Sequence, residues 1–150
     1  MQVNHTAKVT FGLLASASLL IPTVAIAGNR YEEQIRGQLM MAAMTLGLED
    51  YQLFYDPYID SLGANSEDRL TFTLKKGGTY AIVGVCDEDC SDIDLEIYDE
   101  NGNSIAVDRG SDDYPILQIS PTWTGEFSLE VDMYSCSTSD CYYGIGVFSQ

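Results

Sequence analysis

Asp92-Ile93-Asp94-Leu95-Glu96-Ile97-Tyr98, running into Asp99-Glu100-Asn101-Gly102-Asn103, is the stretch that decides the fold. Ile93, Leu95 and Ile97 alternate with Asp94, Glu96 and Tyr98. A period of two is that of a pleated strand, in which successive side chains leave opposite faces. One face is apolar and the other acidic, so the strand belongs to a sheet with a core side and a water side, the habit of antiparallel sheets. Asn101-Gly102 supplies the positive φ that a tight hairpin needs.

The same period recurs on both sides. Leu70, Phe72 and Leu74 alternate with Thr71 and Thr73, and Phe127, Leu129, Val131 and Met133 alternate in a second run. Residues 79–86 are almost wholly apolar, as expected of a strand buried on both faces. With 104–108, 116–120 and 142–149, about seven short strands separated by turn residues predict an antiparallel β-sandwich over residues 68–150. Gly144 and Gly146 fall inside the last strand, where glycine marks a close backbone approach.

Upstream, residues 28–67 form a lead-in. Tyr31, Ile35, Leu39, Ala42 and Leu46 recur at spacings of three and four, predicting one amphipathic helix over 30–48. Met40, Met41 and Met44 widen its apolar face, and they read either as a groove for a partner or, the favoured reading, as core-facing side chains, while Glu32 and Glu33 suit the positive end of the helix dipole. The aromatic run Tyr51-Gln52-Leu53-Phe54-Tyr55-Asp56-Pro57-Tyr58 follows. Pro57 and Gly63-Ala64-Asn65-Ser66 argue against a long regular element there, so a connector laying its rings on the main domain is expected.

Residues 1–27 read as an export signal. A weakly basic start with Lys8 leads into an apolar stretch, broken by Pro22 and closed by Ala25-Ile26-Ala27 before Gly28. A membrane anchor needs about 20 apolar residues without a helix breaker; cleavage after Ala27 leaves none. The mature chain then carries six Lys and Arg against 23 Asp and Glu, a net charge of −17. Such a chain is repelled by nucleic-acid phosphates and anionic lipid, which removes nucleic acid as a partner. The expected location is the periplasm or the extracellular medium.

In an oxidising compartment Cys86, Cys90, Cys136 and Cys141 should form disulfides. Of three connectivities the local pairs, Cys86–Cys90 and Cys136–Cys141, are favoured: Ser137-Thr138-Ser139-Asp140 reads as a hairpin loop, and Asp87-Glu88-Asp89 as a short closed loop. Each bridge would then hold a loop rather than the core, at ~2 kcal/mol. A four-thiolate zinc site is the competing reading.

Three segments carry a family resemblance: Leu74-Lys75-Lys76-Gly77-Gly78-Thr79-Tyr80, the Asp92–Gly102 run, and Pro121-Thr122-Trp123-Thr124-Gly125-Glu126-Phe127. Together they resemble the bacterial pre-peptidase C-terminal domain, over residues 68–149. The resemblance implies a jelly-roll-like β-sandwich of secreted proteins, often appended to proteases. The chain departs from that pattern in lacking a peptidase, in its two cysteine pairs, and in Phe127 where tyrosine is common.

The only histidine, His5, lies in the expected signal. That leaves no Ser-His-Asp or Cys-His machinery in the mature chain, and no imidazole for zinc. No enzymatic activity is expected. Between Cys86 and Asp113 stand eleven acids opposed only by Arg109. They read either as a solvated edge with Asp at turns or as oxygen donors for calcium, with Asp87, Asp89, Asp92, Asp94, Asp112 and Asp113 as candidate ligands. Trp123 is either a stacking platform for a sugar or peptide or a ring folded onto the domain's rim. The function expected is a non-catalytic binding or accessory module for a protein or carbohydrate surface, with calcium as a stabilising ion. A structural or protective envelope protein without a small ligand is the alternative.

Overall fold

The alternation read from Asp92–Tyr98 is realised in a chain built mainly of antiparallel strands. The structure, a computed structural model, describes residues 24–150. The expected signal lies outside the described residues, except Val24–Ala27, which open helix α1 (Val24–Thr45). Nine strands follow: β1 (Gln52–Leu53), β2 (Tyr58–Leu62), β3 (Ser66–Leu74), β4 (Tyr80–Cys86), β5 (Cys90–Tyr98), β6 (Ser104–Asp108), β7 (Ile116–Ile119), β8 (Gly125–Cys136) and β9 (Cys141–Ser149).

They form two antiparallel sheets. In the first, β1 and β2 both pair with β9, then come β4 and β7; the second runs β3-β8-β5-β6. From β2 onward the chain changes sheet at every connection except β5–β6, whose turn is made by Asp99 and by Gly102 at φ 79°. Inward-facing side chains of both sheets share one apolar core, including Tyr80, Ile82, Leu95, Ile97, Phe127, Leu129, Val131 and Tyr143.

β4 is buried at every position, as its composition predicts. Its second face, with Phe148 of β9, is covered by Ile35, Leu39 and Ala43 of α1. Gly144 and Gly146 make this fit possible. A Cβ at Gly144 would run into Ile35 Cγ2, and one at Gly146 would crowd Phe148 and Leu39. Tyr31 stacks on Tyr142 with ring centroids 4.6 Å apart.

The helix differs from expectation in three respects. It begins before Arg30, so Glu32 and Glu33 lie inside it and its first turn carries no acid. It ends at Thr45 because Gly47 takes φ 70°, with Leu48 N–H donating to Ala43 O and Gly47 N–H to Met44 O. That paired pattern is the Schellman stop, and it turns Leu48 inward onto the same apolar cluster as Ala43. Finally, Met40, Met41, Met44 and Leu46 are exposed rather than core-facing. Ile35 and Leu39 fill the space left by Gly144 and Gly146 and so fix which stripe of the helix faces the sheet, and with about 3.6 residues per turn Met40, Met41 and Met44 then fall off that stripe.

The aromatic connector also contains more order than expected. Its Phe54 and Tyr55 rings do pack on the domain, against Tyr80 and Phe72. However, β2 pairs with five consecutive residues of β9, from Ile145 to Cys141, and becomes part of the first sheet.

Both local disulfides are present, Cys86–Cys90 and Cys136–Cys141. The loop between Cys136 and Cys141 is not a hairpin loop: it carries the chain from β8 in one sheet to β9 in the other. Cys86–Cys90 spans the β4-to-β5 crossing in the same way, and Cys90 and Cys136 are Cα partners across β5 and β8. Three of the four cysteines are buried in the main core. The bridges therefore tie sheet to sheet at one end of the molecule.

Candidate functional site

Two regions collect chemistry: the outward face of the second sheet and a cleft beside β2. On the outward face, register decides which charges meet. Arg69 of β3, Glu130 of β8 and Glu96 of β5 lie in one cross-strand row. Arg69 pairs with Glu130, and Arg109 pairs with Glu96. The Ser104 hydroxyl, with Tyr98 and Arg109, holds the Glu96 carboxyl below its usual range. This row is compensated.

The next row is not. Glu67, Asp132 and Asp94 are successive partners across β3, β8 and β5. Like charges directly opposite one another are destabilising. Burial, then the charges of Asp92 and Asp132, push the Asp94 carboxyl up, against the opposing pull of Arg109. Burial, then Asp112 and Asp132, push Asp92 up as well. Oδ1 of each is buried without a hydrogen-bond partner. Ile93 N–H donates to the Asp112 carbonyl, which fastens the Asp112 loop beside the strand.

Of the six acids singled out in the sequence, the structure thus gathers Asp92, Asp94 and Asp112, and adds Asp132. Asp87 is buried in the crossing loop, accepting from Tyr142 N–H at 2.7 Å and Asp89 N–H at 3.1 Å, a structural anchor with both oxygens engaged. The Asp89 side chain faces Ser137. Asp113 lies beside α1, lining a groove with Met41 and Tyr114. Asp132 was legible as an outward residue of β8, but not as the partner of Asp94, because strand order is not written in the sequence.

Hard oxygen donors and two orphaned buried carboxylate oxygens suit calcium in kind. Among the described residues no three acids stand converged as a ready-made metal cage. A cation here would have to draw flexible carboxylates together, which makes for a weak site.

The cleft, of about 550 Å³, opens where the chain leaves β9 between β1 and β2. Leu70, Phe72, Ile145 and Val147 form its apolar floor, and Tyr55, Asp56, Tyr58 and Arg69 its rim. Tyr55 donates to Thr73 O at 2.7 Å, which caps the open edge of β3. Next to the cleft, Tyr143 donates to Asp68 Oδ2 at 2.6 Å, and Tyr58 reaches Asp60 at 3.0 Å and the same Asp68 oxygen at 3.3 Å. Tyr143 holds Asp68 below its usual range, helped by the Arg69 N–H and Tyr58. Burial, then Asp60 and Asp68, push Tyr58 up to about 12. Burial and Asp68 likewise push Tyr143 upward. These hydroxyls are therefore donors throughout the physiological range. No sequence pattern announced this site, since its parts come from β2, β3 and β9.

Trp123 is half-buried, with Phe127 stacked on it at 5.2 Å between centroids. It lines a smaller groove of about 320 Å³ with Ile105 and Pro121. One indole face is thus already taken.

No protein-family model matches the chain, and no curated protein matches it.

Proposed function

We propose that the chain is an exported, non-catalytic binding or accessory module that receives a protein or carbohydrate partner at the β2–β3 cleft. The observation that carries this reading is the cleft itself: two exposed tyrosines over an apolar floor, beside a fixed array of hydroxyls and carboxylates. Amphipathic rings supply contact area with little entropy loss, and oriented polar groups supply specificity. The disulfides fit an oxidising compartment. Among the described residues Asp56 is the one carboxylate in the cleft lining, while Asp60 and Asp68 beside it are engaged by Tyr58 and Tyr143, and this supports binding over hydrolysis by a carboxylate pair.

In this reading the two sheets form a jelly-roll-like β-sandwich of the pre-peptidase C-terminal kind, with α1 as an added cover. Calcium acts as an accessory ion on the Asp92, Asp94, Asp112 and Asp132 face, lowering repulsion between carboxylates. The alternative of a ligand-free envelope protein calls for a charged surface without an aromatic patch, and Tyr55 and Tyr58 argue against it.

Mature protein probed against glycan and peptide arrays tests the proposal. A bound class should appear, and Tyr58→Ala should weaken it ~10-fold, as expected when a buried aromatic contact is removed. Tyr134→Ala, an exposed tyrosine on the other face of the second sheet, should leave it unchanged. No binder on either array, or equal loss in both variants, rejects the cleft.

A further inference from the structure

Three of the four methionines among the described residues fall within five positions of α1: Met40, Met41 and Met44, while Met133 is in the core. The inner side of the helix is committed to the first sheet through Ile35, Leu39 and Ala43. The three methionines are 60%, 65% and 63% exposed. Long apolar side chains left in water add little to stability, since the hydrophobic gain scales with area removed from water. The fold does not need them where they are.

Their spacing is that of a cluster. Met44 stands four residues after Met40 and three after Met41, so on a helix it lies one turn above both and neighbours each. Met40 and Met44 line one groove beside the helix and Met41 another, and because a methionine has three rotatable side-chain bonds the three sulfurs can be brought together by rotation about them with the backbone fixed. The backbone beneath them is held, by the stop at Gly47 on one side and by the glycine seat on β9 on the other.

A thioether is a soft, neutral ligand that selects Cu(I) over hard cations. The rest of the chain narrows the choice. All four cysteines are in disulfides, and the only histidine is His5. Among the described residues, then, no thiolate or imidazole competes for a soft ion. Glu49 lines the groove beside Met40 and Met44, and Asp113 the groove beside Met41, placing negative charge on both flanks of a monovalent cation. We propose that Met40, Met41 and Met44 form a solvent-accessible thioether site for Cu(I). The site is separate from the cleft and stands or falls independently of it.

The test uses mature, disulfide-bonded protein. Silver(I) nitrate in chloride-free buffer serves as a redox-inert probe, and an acetonitrile-stabilised Cu(I) salt is added under argon. A single equivalent of each ion should be held through dialysis, and the methyl resonances of Met40, Met41 and Met44 should shift while that of Met133 stays. The M40L/M41L/M44L variant keeps apolar volume and helix propensity, so circular dichroism should be unchanged while retention of both ions is lost. Failure of the wild-type chain to hold either ion, or equal retention by the triple variant, overturns the proposal.

Discussion

Asp94 of β5 and Asp132 of β8 stand as Cα partners across the second sheet, and among the described residues neither forms an ion pair, the nearby Arg109 being paired with Glu96. In the next row Glu96 and Glu130 face each other in the same way, but each holds an arginine. The first row should therefore oppose folding at neutral pH while the second does not. Asp132→Asn removes the repulsion without changing shape and should stabilise the protein by ~0.5 kcal/mol, the scale of a cross-strand like-charge pair near water. Because the Asp92 and Asp94 carboxyls are pushed up in the folded state, their contribution is most favourable below the ordinary carboxylate range. It is lost as pH rises through their raised values. Urea denaturation as a function of pH should show a shallower loss over that interval in Asp132→Asn. An unchanged slope would mean that these charges are fully screened.

Calcium should act on the same row. A cation that binds only the folded form stabilises it by mass action, and millimolar affinity suits an extracellular site assembled from flexible carboxylates. Thermal melts should show a larger rise in Tm with calcium than with magnesium, and a larger one than with sodium chloride at matched ionic strength. Asp94→Asn should remove the calcium excess, whereas Asp89→Asn should keep it, because Asp89 is turned toward Ser137. Equal shifts with all three salts would reduce the effect to screening.

Asp68 shows the opposite pH behaviour. Tyr143 lowers its carboxyl in the folded state, so its stabilisation is present above the ordinary carboxylate range and is lost as pH falls through the lowered value. Tyr143→Phe deletes one hydroxyl in a buried site and should cost ~2 kcal/mol at neutral pH, as for a hydrogen bond to a charged group. The Asp68 carboxyl, followed by carbon-detected NMR, should then titrate at higher pH than in the wild-type chain. Titration at an unchanged pH would show that Tyr143 does not control it.

How far the sequence could be read follows from what each element depends on. β5 was legible because Ile93, Leu95 and Ile97 alternate with polar residues over one continuous run, a purely local signal. The cysteine pairing was legible from spacing, but not what it joins, because Cys136 and Cys141 flank a crossing between sheets and nothing local separates a crossing from a hairpin. β2 carries no local signal, since Tyr58–Leu62 owes its order to β9, more than 75 positions on. The exposure of the methionines is hidden for a related reason: period alone gives an apolar arc, and the glycines of β9 decide which part of that arc meets the sheet. The acid row and the cleft both depend on strand neighbours, so neither existed before the topology did.

The crossing position of the disulfides has a consequence for stability. Each closes a short loop, which by chain entropy is worth ~2 kcal/mol. Replacing Cys136 and Cys141 together by alanine also opens packing at buried Cys141, so the loss should exceed that of loop closure alone, at ~3 kcal/mol with the added core term. Non-reducing peptide mapping of the wild-type chain should recover each pair in one short peptide. Chemical denaturation of the double variant then reads the difference, and a loss well under ~2 kcal/mol would return the bridge to a loop clamp.

The seat of α1 offers the most direct test of the packing. A methyl group at Gly144 meets the side chain of Ile35, itself fully buried, and comes within 3.3 Å of Leu39. Neither the helix, fixed by its stop at Gly47, nor β9, paired on both edges by β2 and β4, can move aside freely. Overpacking of this kind costs about 1–3 kcal/mol, so Gly144→Ala should lower stability by that amount and should loosen the helix before the sheets. Hydrogen exchange should show faster exchange along α1 while β5 and β8 keep their protection, and the Tyr31 ring should lose its stacked contact with Tyr142. Gly37→Ala is the control: nothing beyond the adjoining helix backbone and chain neighbours lies within 4 Å of a Cβ there, and alanine in place of glycine favours a helix by ~1 kcal/mol. Opposite signs for the two substitutions are the expected result. A stabilising Gly144→Ala would mean that α1 does not rest on β9 at that point.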